Sequence, residues 1–366
     1  MERIMVYPYS KSLAPFVEEW GFDSDKEIVA LVALPQSGLV GHRAGYVNNA
    51  EYGIEISADF QSGLNKCDTL YLFKDSENEE YDYMAAAITA LESGKNIVLA
   101  FNIPEENRVI LKKQARQSKS NVFFVYEHFL SDNQFANSQY HFKGMYTPKA
   151  KVVFVGGLIR NCGQTRICLG LSRTVKNNGY KATVLGCNAA YPIMGYHDMS
   201  DLFDEEKTKP MNVIRMLNNL VYKIDTVEEP DVMIIEIPGE IIKYNDFICG
   251  DFGLSMFQVA NAVKADSFIA DLPYGEYNNE FLESLNRYVE RKIDCPIMCY
   301  SISNQMLLYN ESVEMQDYIC FFHSLSHTKE QVSLMRETLK FEVFNTFETE
   351  KSRTAYETII RKLEEL

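Results

Sequence analysis

The stretch Lys151-Val152-Val153-Phe154-Val155-Gly156-Gly157-Leu158-Ile159-Arg160-Asn161-Cys162-Gly163-Gln164-Thr165 decides the fold. A short apolar run leads into a glycine-bounded loop, and a helical pattern then runs from Gln164 to Asn178 until Gly179 ends it. In that order the loop N–H groups and the helix N-terminus point at one place, which makes an anion cradle. Gly157, Arg160, Asn161, Gly163, Gln164 and Thr165 are therefore the candidate residues for binding a phosphate-bearing ligand. The bland alternative is a tight strand-to-helix turn with no ligand.

Gly157 and Gly163 enclose five residues, one more than the usual Walker A count, and Gln164 stands where the phosphate-binding lysine is expected. Thr165 still offers a hydroxyl to Mg²⁺. A neutral amide hydrogen-bonds a phosphate oxygen but does not neutralise transition-state charge, so the loop reads as a binder more than as an efficient hydrolase. Arg160 or Arg166 could supply the missing charge.

A second element lies downstream. Asp231-Val232-Met233-Ile234-Ile235-Glu236-Ile237-Pro238-Gly239-Glu240 is a buried strand that ends in a carboxylate. An acid there faces a phosphate loop and holds Mg²⁺, usually through water. Glu236 is the metal candidate beside Thr165, and Glu240 is a reserve.

Around these elements, strands alternate with helices. Ile4–Tyr7, Glu27–Leu34, Thr69–Phe73, Asn96–Ala100 and Val122–Tyr126 read as strands of a first open sheet, with helices over Glu80–Glu92 and Pro104–Ser118. The polar stretch Ser131–Lys149 reads as a linker. The second sheet takes Lys151–Val155, Tyr180–Cys187, Val232–Ile237, Ser267–Ala270, Pro296–Ser301 and Tyr318–Phe322. A helix is expected to open with the capping box Thr328-x-x-Gln331 and to place Val332, Met335 and Leu339 on one face. A last amphipathic helix sets Tyr356, Ile359, Ile360, Leu363 and Leu366 against a core. The expected fold is α/β: a Rossmann-like domain over 1–146, then a degenerate P-loop domain of three-layer α/β/α type over 147–366.

Composition bounds the function. The 366 residues carry 36 Lys+Arg against 51 Asp+Glu, a net charge of −15, which argues against nucleic-acid or anionic-membrane partners. No apolar stretch approaches the ~18 residues of a spanning helix, and no signal-peptide pattern opens the chain, so the expected location is cytoplasmic. The eight cysteines are scattered without a CxxC pair and read as free thiols. Cys295 and Cys299 on one strand stand too far apart to share a zinc.

The spacing Gly-x5-Gly-Gln-Thr with an Ile-Ile-Glu-x-x-Gly strand resembles the signal-recognition, MinD and BioD class of P-loop proteins, which includes dethiobiotin synthetase. A Rossmann-like domain ahead of such a loop is similar to the D-glutamate N-acetyltransferase family, whose loop keeps its lysine. A closer resemblance covers most of the chain. Ile4-Met5-Val6-Tyr7-Pro8-Tyr9-Ser10-Lys11-Ser12-Leu13-Ala14-Pro15-Phe16, Ile28-Val29-Ala30-Leu31-Val32 and Gly38-Leu39-Val40-Gly41 are similar to clostridial peptide maturation system proteins, which belong to clusters making ribosomally synthesised, modified peptides. That resemblance implies a pathway in natural-product biosynthesis and leaves the reaction open.

Weaker candidates remain. His197 and Asp198 follow Gly186-Cys187-Asn188 at what should be the same sheet edge, as a base or substrate contacts. Gln36–Gly45, with His42 and Arg43, lies at a strand's carboxyl end, and Ser10 with Lys11 at another. Cys162 and Cys187 read as packing residues, and His323 with His327 makes a weak zinc reading. The expected function is binding of ATP or GTP with Mg²⁺, with ATP-dependent activation or acyl transfer if it is an enzyme. One alternative is an inactive P-loop scaffold that binds precursor peptide or a modifying enzyme; another is a CoA-dependent N-acyltransferase using acetyl-CoA. Substrate and oligomeric state stay open.

Overall fold

The structure, a computed structural model, describes residues 1–21, 25–44, 53–74, 81–128, 144–204 and 208–365. The chain divides into two compact units: Met1–Gln139 with Ala189–Gly195, and Tyr140–Asn188 with Tyr196–Leu366. Most of the expected linker and residue Glu80 lie outside the described residues, as does Leu366.

The first unit runs β1 (Glu2–Tyr7), α1 (Ala14–Trp20), β2 (Lys26–Val32), β3 (Ile56–Ser57), α2 (Phe60–Lys66), β4 (Thr69–Leu72), α3 (Tyr83–Glu92), β5 (Asn96–Leu99), α4 (Glu105–Ser118), β6 (Val122–Phe124) and α5 (Val125–His128). Its sheet is parallel throughout, in the order β3-β2-β1-β4-β5-β6. That is the Rossmann order, reversing direction at β1. The apolar runs are buried on both faces because helices cover them, which is why they read as continuous. Met5, Val32, Leu70, Leu72, Ile97 and Leu99 form the centre of this core. Asp59 and Asp82 cap α2 and α3 by accepting from Ser62 N and Ala85 N. The run expected as a strand to Tyr126 turns into a helix at Val125.

The second unit contains β7 (Lys151–Gly157), α6 (Gln164–Asn177), β8 (Ala182–Gly186), β9 (His197–Asp198), α7 (Pro210–Val227), β10 (Val232–Glu240), α8 (Leu254–Ala262), β11 (Ser267–Leu272), α9 (Asn279–Ile293) and β12 (Ile297–Ile302). It continues with β13 (Gln305–Leu307), α10 (Tyr309–Met315), β14 (Cys320–Phe322), α11 (Leu325–Thr338), β15 (Val343–Phe344) and α12 (Thr349–Glu364). Seven strands form a second parallel sheet in the order β15-β12-β11-β7-β10-β8-β9. Right-handed crossovers from this order place α6 on one face and α7, α8 and α9 on the other. The packing agrees, since α6 contacts α12 while α8 contacts both α7 and α9.

Strand β7 sits inside the sheet, so the loop after it emerges between β10 and β11. Its entry is fastened by Asp225, which accepts from Lys149 N at 2.9 Å and Ala150 N at 3.1 Å. Two sequence expectations change here. Tyr318–Phe322 does not join the large sheet: β14 pairs antiparallel with β13 as a separate hairpin. Helix α11 begins at Leu325, capped by Ser324 rather than Thr328, because the Ser324 hydroxyl already accepts from His327 N. The last helix buries Tyr356, Ile359, Ile360 and Leu363, as its spacing requires.

Candidate functional site

The loop 158–163 connects β7 to α6, whose 14 residues begin at Gln164. Its backbone is tied to both neighbouring strands: Leu158 N donates to Asp271 O at 2.8 Å, and Ile241 N donates to Gly157 O at 2.8 Å. Asn161 takes a left-handed conformation, φ 56°, which its short polar side chain tolerates. The interior of the loop is filled by Gln164. That side chain is only 3% exposed; its Nε2 donates to Ile159 O at 2.9 Å and its Oε1 accepts from Gly163 N at 3.0 Å. A Cβ on Gly157 would stand 1.7 Å from Gln164 Nε2 and 2.6 Å from Ile159 O, so only glycine fits there.

Thr165 and Glu236 come together. Thr165 Oγ1 donates to Glu236 Oε1 at 2.7 Å, across the gap between α6 and β10. Register explains the meeting, since β10 pairs parallel with β7 and sets Glu236 opposite Val155, two residues before Gly157. A hydroxyl and a carboxylate at a helix N-terminus are hard oxygen donors of the kind Mg²⁺ takes alongside phosphate and water.

The arginines proposed to supply charge have other partners. Arg160 is ion-paired with Asp317 and lies 5.8 Å from the centre of the Tyr318 ring. The Arg166 guanidinium lies 4.1 Å from the centre of the Phe347 ring. Further clamps come from the segment after β12: Ser303 Oγ donates to Cys162 O at 2.7 Å, and Gln305 Nε2 donates to Asn161 O and Cys162 O, each at 2.9 Å.

Two buried acids lie beside the loop, and one of them, Asp271, is not accounted for by the sequence reading. Asp271, the penultimate residue of β11, pairs in register with Gly157 and is fully buried; both its carboxylate oxygens lack a hydrogen-bond partner. Oδ2 would lie 3.0 Å from a Cβ on Gly163, so the acid presses against the loop's last glycine. Burial pushes its pKa up to about 7. The Ser301 hydroxyl and Cys162 thiol alongside favour the ionised form, but neither reaches full hydrogen-bond geometry. The Cys162 thiol is itself held well above its ordinary range by burial, as packing requires. Glu240 is the other acid, 1% exposed, with Oε2 accepting from Asp251 N at 2.8 Å. Burial and then the neighbouring Asp251 carboxylate raise its pKa, while the Asp251 N–H opposes the shift. Asp251 in turn accepts from Gly253 N and Ser255 N, so this reserve residue organises the turn into α8.

The side chains of His197 and Asp198 point apart. Alternation along β9 sends the two side chains to opposite faces, and their partners differ. His197 Nε2 bonds Glu228 Oε1 at 2.6 Å, while Asp198 Oδ1 accepts from Ser200 N at 2.9 Å. Their strand is also separated from β7 by β8 and β10. The backbone of His42 and Ala44 bonds Ile56 and Ile54, so the described part of that loop serves the first sheet's edge. His323 and His327 stack 5.0 Å apart around Tyr274, and the Tyr274 hydroxyl meets His327 Nε2 at 3.0 Å, an aromatic arrangement; among the described residues no metal-ligand set gathers there. All eight cysteines are free.

No family model matches the chain, and no curated protein matches it. Among solved structures, a DUF1611 family protein from Anabaena variabilis aligns over 100% of both chains with a TM-score of 0.61 at 11% identity. That likeness establishes the fold across the whole chain. An apo GTPase from Pyrococcus abyssi covers 59% of this chain and 96% of its own, at TM-score 0.33 and 14% identity. HypB from Helicobacter pylori covers 59% and 88%, at TM-score 0.32 and 16% identity. Scores this low add nothing to the argument. Among the described residues no helix is long and apolar enough to cross a membrane.

Proposed function

We propose that the chain binds a nucleotide or another phosphate-bearing ligand at residues 157–165, with Mg²⁺ held by Thr165 and Glu236. The observation that carries this is the 2.7 Å Thr165–Glu236 contact at the mouth of a glycine-bounded loop and a helix N-terminus. Mg²⁺ would offset the ligand's negative charge; the chain itself supplies the oxygen donors and the loop N–H groups. Without a lysine and with Arg160 committed to Asp317, little of the protein's own positive charge reaches a phosphoryl group. The reading is therefore binding with little intrinsic turnover. Its setting, maturation of a ribosomally made peptide, is supported by the resemblance of residues 4–16, 28–32 and 38–41. A net charge of −15 suits a basic leader segment.

A second reading has an observation of its own. Gln164 satisfies the loop internally, which favours an inactive P-loop scaffold that binds precursor peptide or a modifying enzyme. Calorimetric titration with ATP, GTP and acetyl-CoA, with and without Mg²⁺, separates the two. The ligand reading expects saturable, Mg²⁺-dependent nucleotide binding that Thr165→Val and Glu236→Gln each weaken roughly tenfold, the scale of one charge-assisted contact. Failure of every phosphate ligand to bind at millimolar concentration leaves the scaffold reading. Acetyl-CoA binding without nucleotide binding would point to acyl transfer instead.

A further inference from the structure

We propose that Gln164 is a built-in competitor of the ligand: its carboxamide occupies the loop interior, and phosphate enters only when that side chain swings out. The inference rests on the phosphate-site reading above and assigns its control to one residue.

Gln164 Oε1 takes the N–H of Gly163, a donor that a bound phosphate oxygen would need, at 3.0 Å. Its Nε2 takes Ile159 O at 2.9 Å, holding the loop shut from inside. The amide thus spans the loop as donor and acceptor at once, something a lysine in this place does not do. Space gives the same answer. The clearance of 1.7 Å between Nε2 and a Cβ built on Gly157 shows that the amide fills the room in front of the first glycine.

The other side of the loop holds an unsatisfied group. Asp271 is fully buried against Gly163 with both oxygens unpartnered. Buried carboxyl oxygens ordinarily have donors, and this acid faces the same Gly163 whose N–H is taken by Gln164. A second conformation, with the amide withdrawn, is the one that accepts ligand.

The cost of withdrawal appears as reduced affinity, because apparent binding scales with the fraction of competent molecules. Two hydrogen bonds of ordinary net strength correspond to roughly a ten- to hundredfold population bias. Titration of the full chain with Mg²⁺-ATP and with inorganic pyrophosphate, for wild type, Gln164→Ala and Gln164→Asn, tests this. Asparagine keeps an amide but is too short to span the loop, and it serves as a second variant should alanine fail to fold. Both variants are expected to bind at least tenfold more tightly than wild type. In wild type, the Gln164 side-chain N–H signals should exchange slowly in the free protein and rapidly at saturation. If wild type binds and the variants bind equally or more weakly, the competitor role is overturned while the phosphate site stands. If wild type and both variants bind neither probe at millimolar concentration, the phosphate site itself fails and the competitor role with it.

Discussion

Both sheets of this molecule have an interior first strand that runs into a loop and then a helix, but only one of the two loops has the make-up of a candidate anion site. After β1 the chain passes through Pro8-Tyr9-Ser10 into a turn at Lys11–Leu13 and the helix Ala14–Trp20, whose Phe16, Val17 and Trp20 are buried. No glycine lets the backbone curl there. The nearby cavity of about 390 Å³ is walled by Tyr7, Phe60, Tyr81 and Asp82, with no basic residue among the described residues that line it. After β7 the chain curls between Gly157 and Gly163, with carboxylates on both flanking strands. Topology supplies the position in both sheets; glycine and the flanking acids make one of them a candidate site.

That contrast is most exposed at Gly157. Gly157→Ala should cost about 3 kcal/mol or more in urea unfolding, because its Cβ would meet backbone and a buried amide. Gly94 in the first unit, at φ 71° with open space around it, should lose only about 1 kcal/mol on the same change. Equal losses at the two positions would show that the loop interior is not filled.

Asp271 comes next. Its pKa is raised in the folded chain to about 7, so the folded state holds the proton and stability falls as pH climbs from the ordinary carboxylate range to 7. Asp271→Asn should abolish that slope, with a gap on the order of 4 kcal/mol between the two proteins' pH dependences when unfolding is followed from pH 4 to 8. Parallel profiles would mean that the carboxyl finds donors. At the bottom of the scale, Arg160→Ala removes a half-exposed ion pair with Asp317 and should move stability by less than about 1 kcal/mol. A larger loss would show that the clamp on the loop's outer face matters more than its exposure suggests.

Much of this was legible in the residues. Short apolar runs with helical stretches between them encode parallel strands, and Gly157, Gly163, Thr165 and Glu236 belong to a spacing that fixes their neighbourhood. What escaped depends on partners that local pattern does not name. Asp271 follows the run Ser267–Ala270 and looked like its end, yet the strand continues to Leu272 and carries the acid into the core. An acid immediately followed by Leu272-Pro273 was the available signal. Gln164 turning inward depends on the path of the loop backbone, which sequence spacing leaves open. Cys320–Phe322 has strand propensity, but nothing in its residues says that Gln305–Leu307 will pair with it instead of the large sheet.

The loop's ties also fix when it can exist. Gly157 is held by Ile241 N, Leu158 by Asp271 O, and Cys162 by Ser303 and Gln305. Every one of these partners lies far downstream, so loop closure over long separations precedes any reward from the contacts. In chain order the glycine segment precedes every one of these partners, the last of them Gln305. A chain truncated before Ser303 would therefore carry the glycine motif without the ties that hold Cys162.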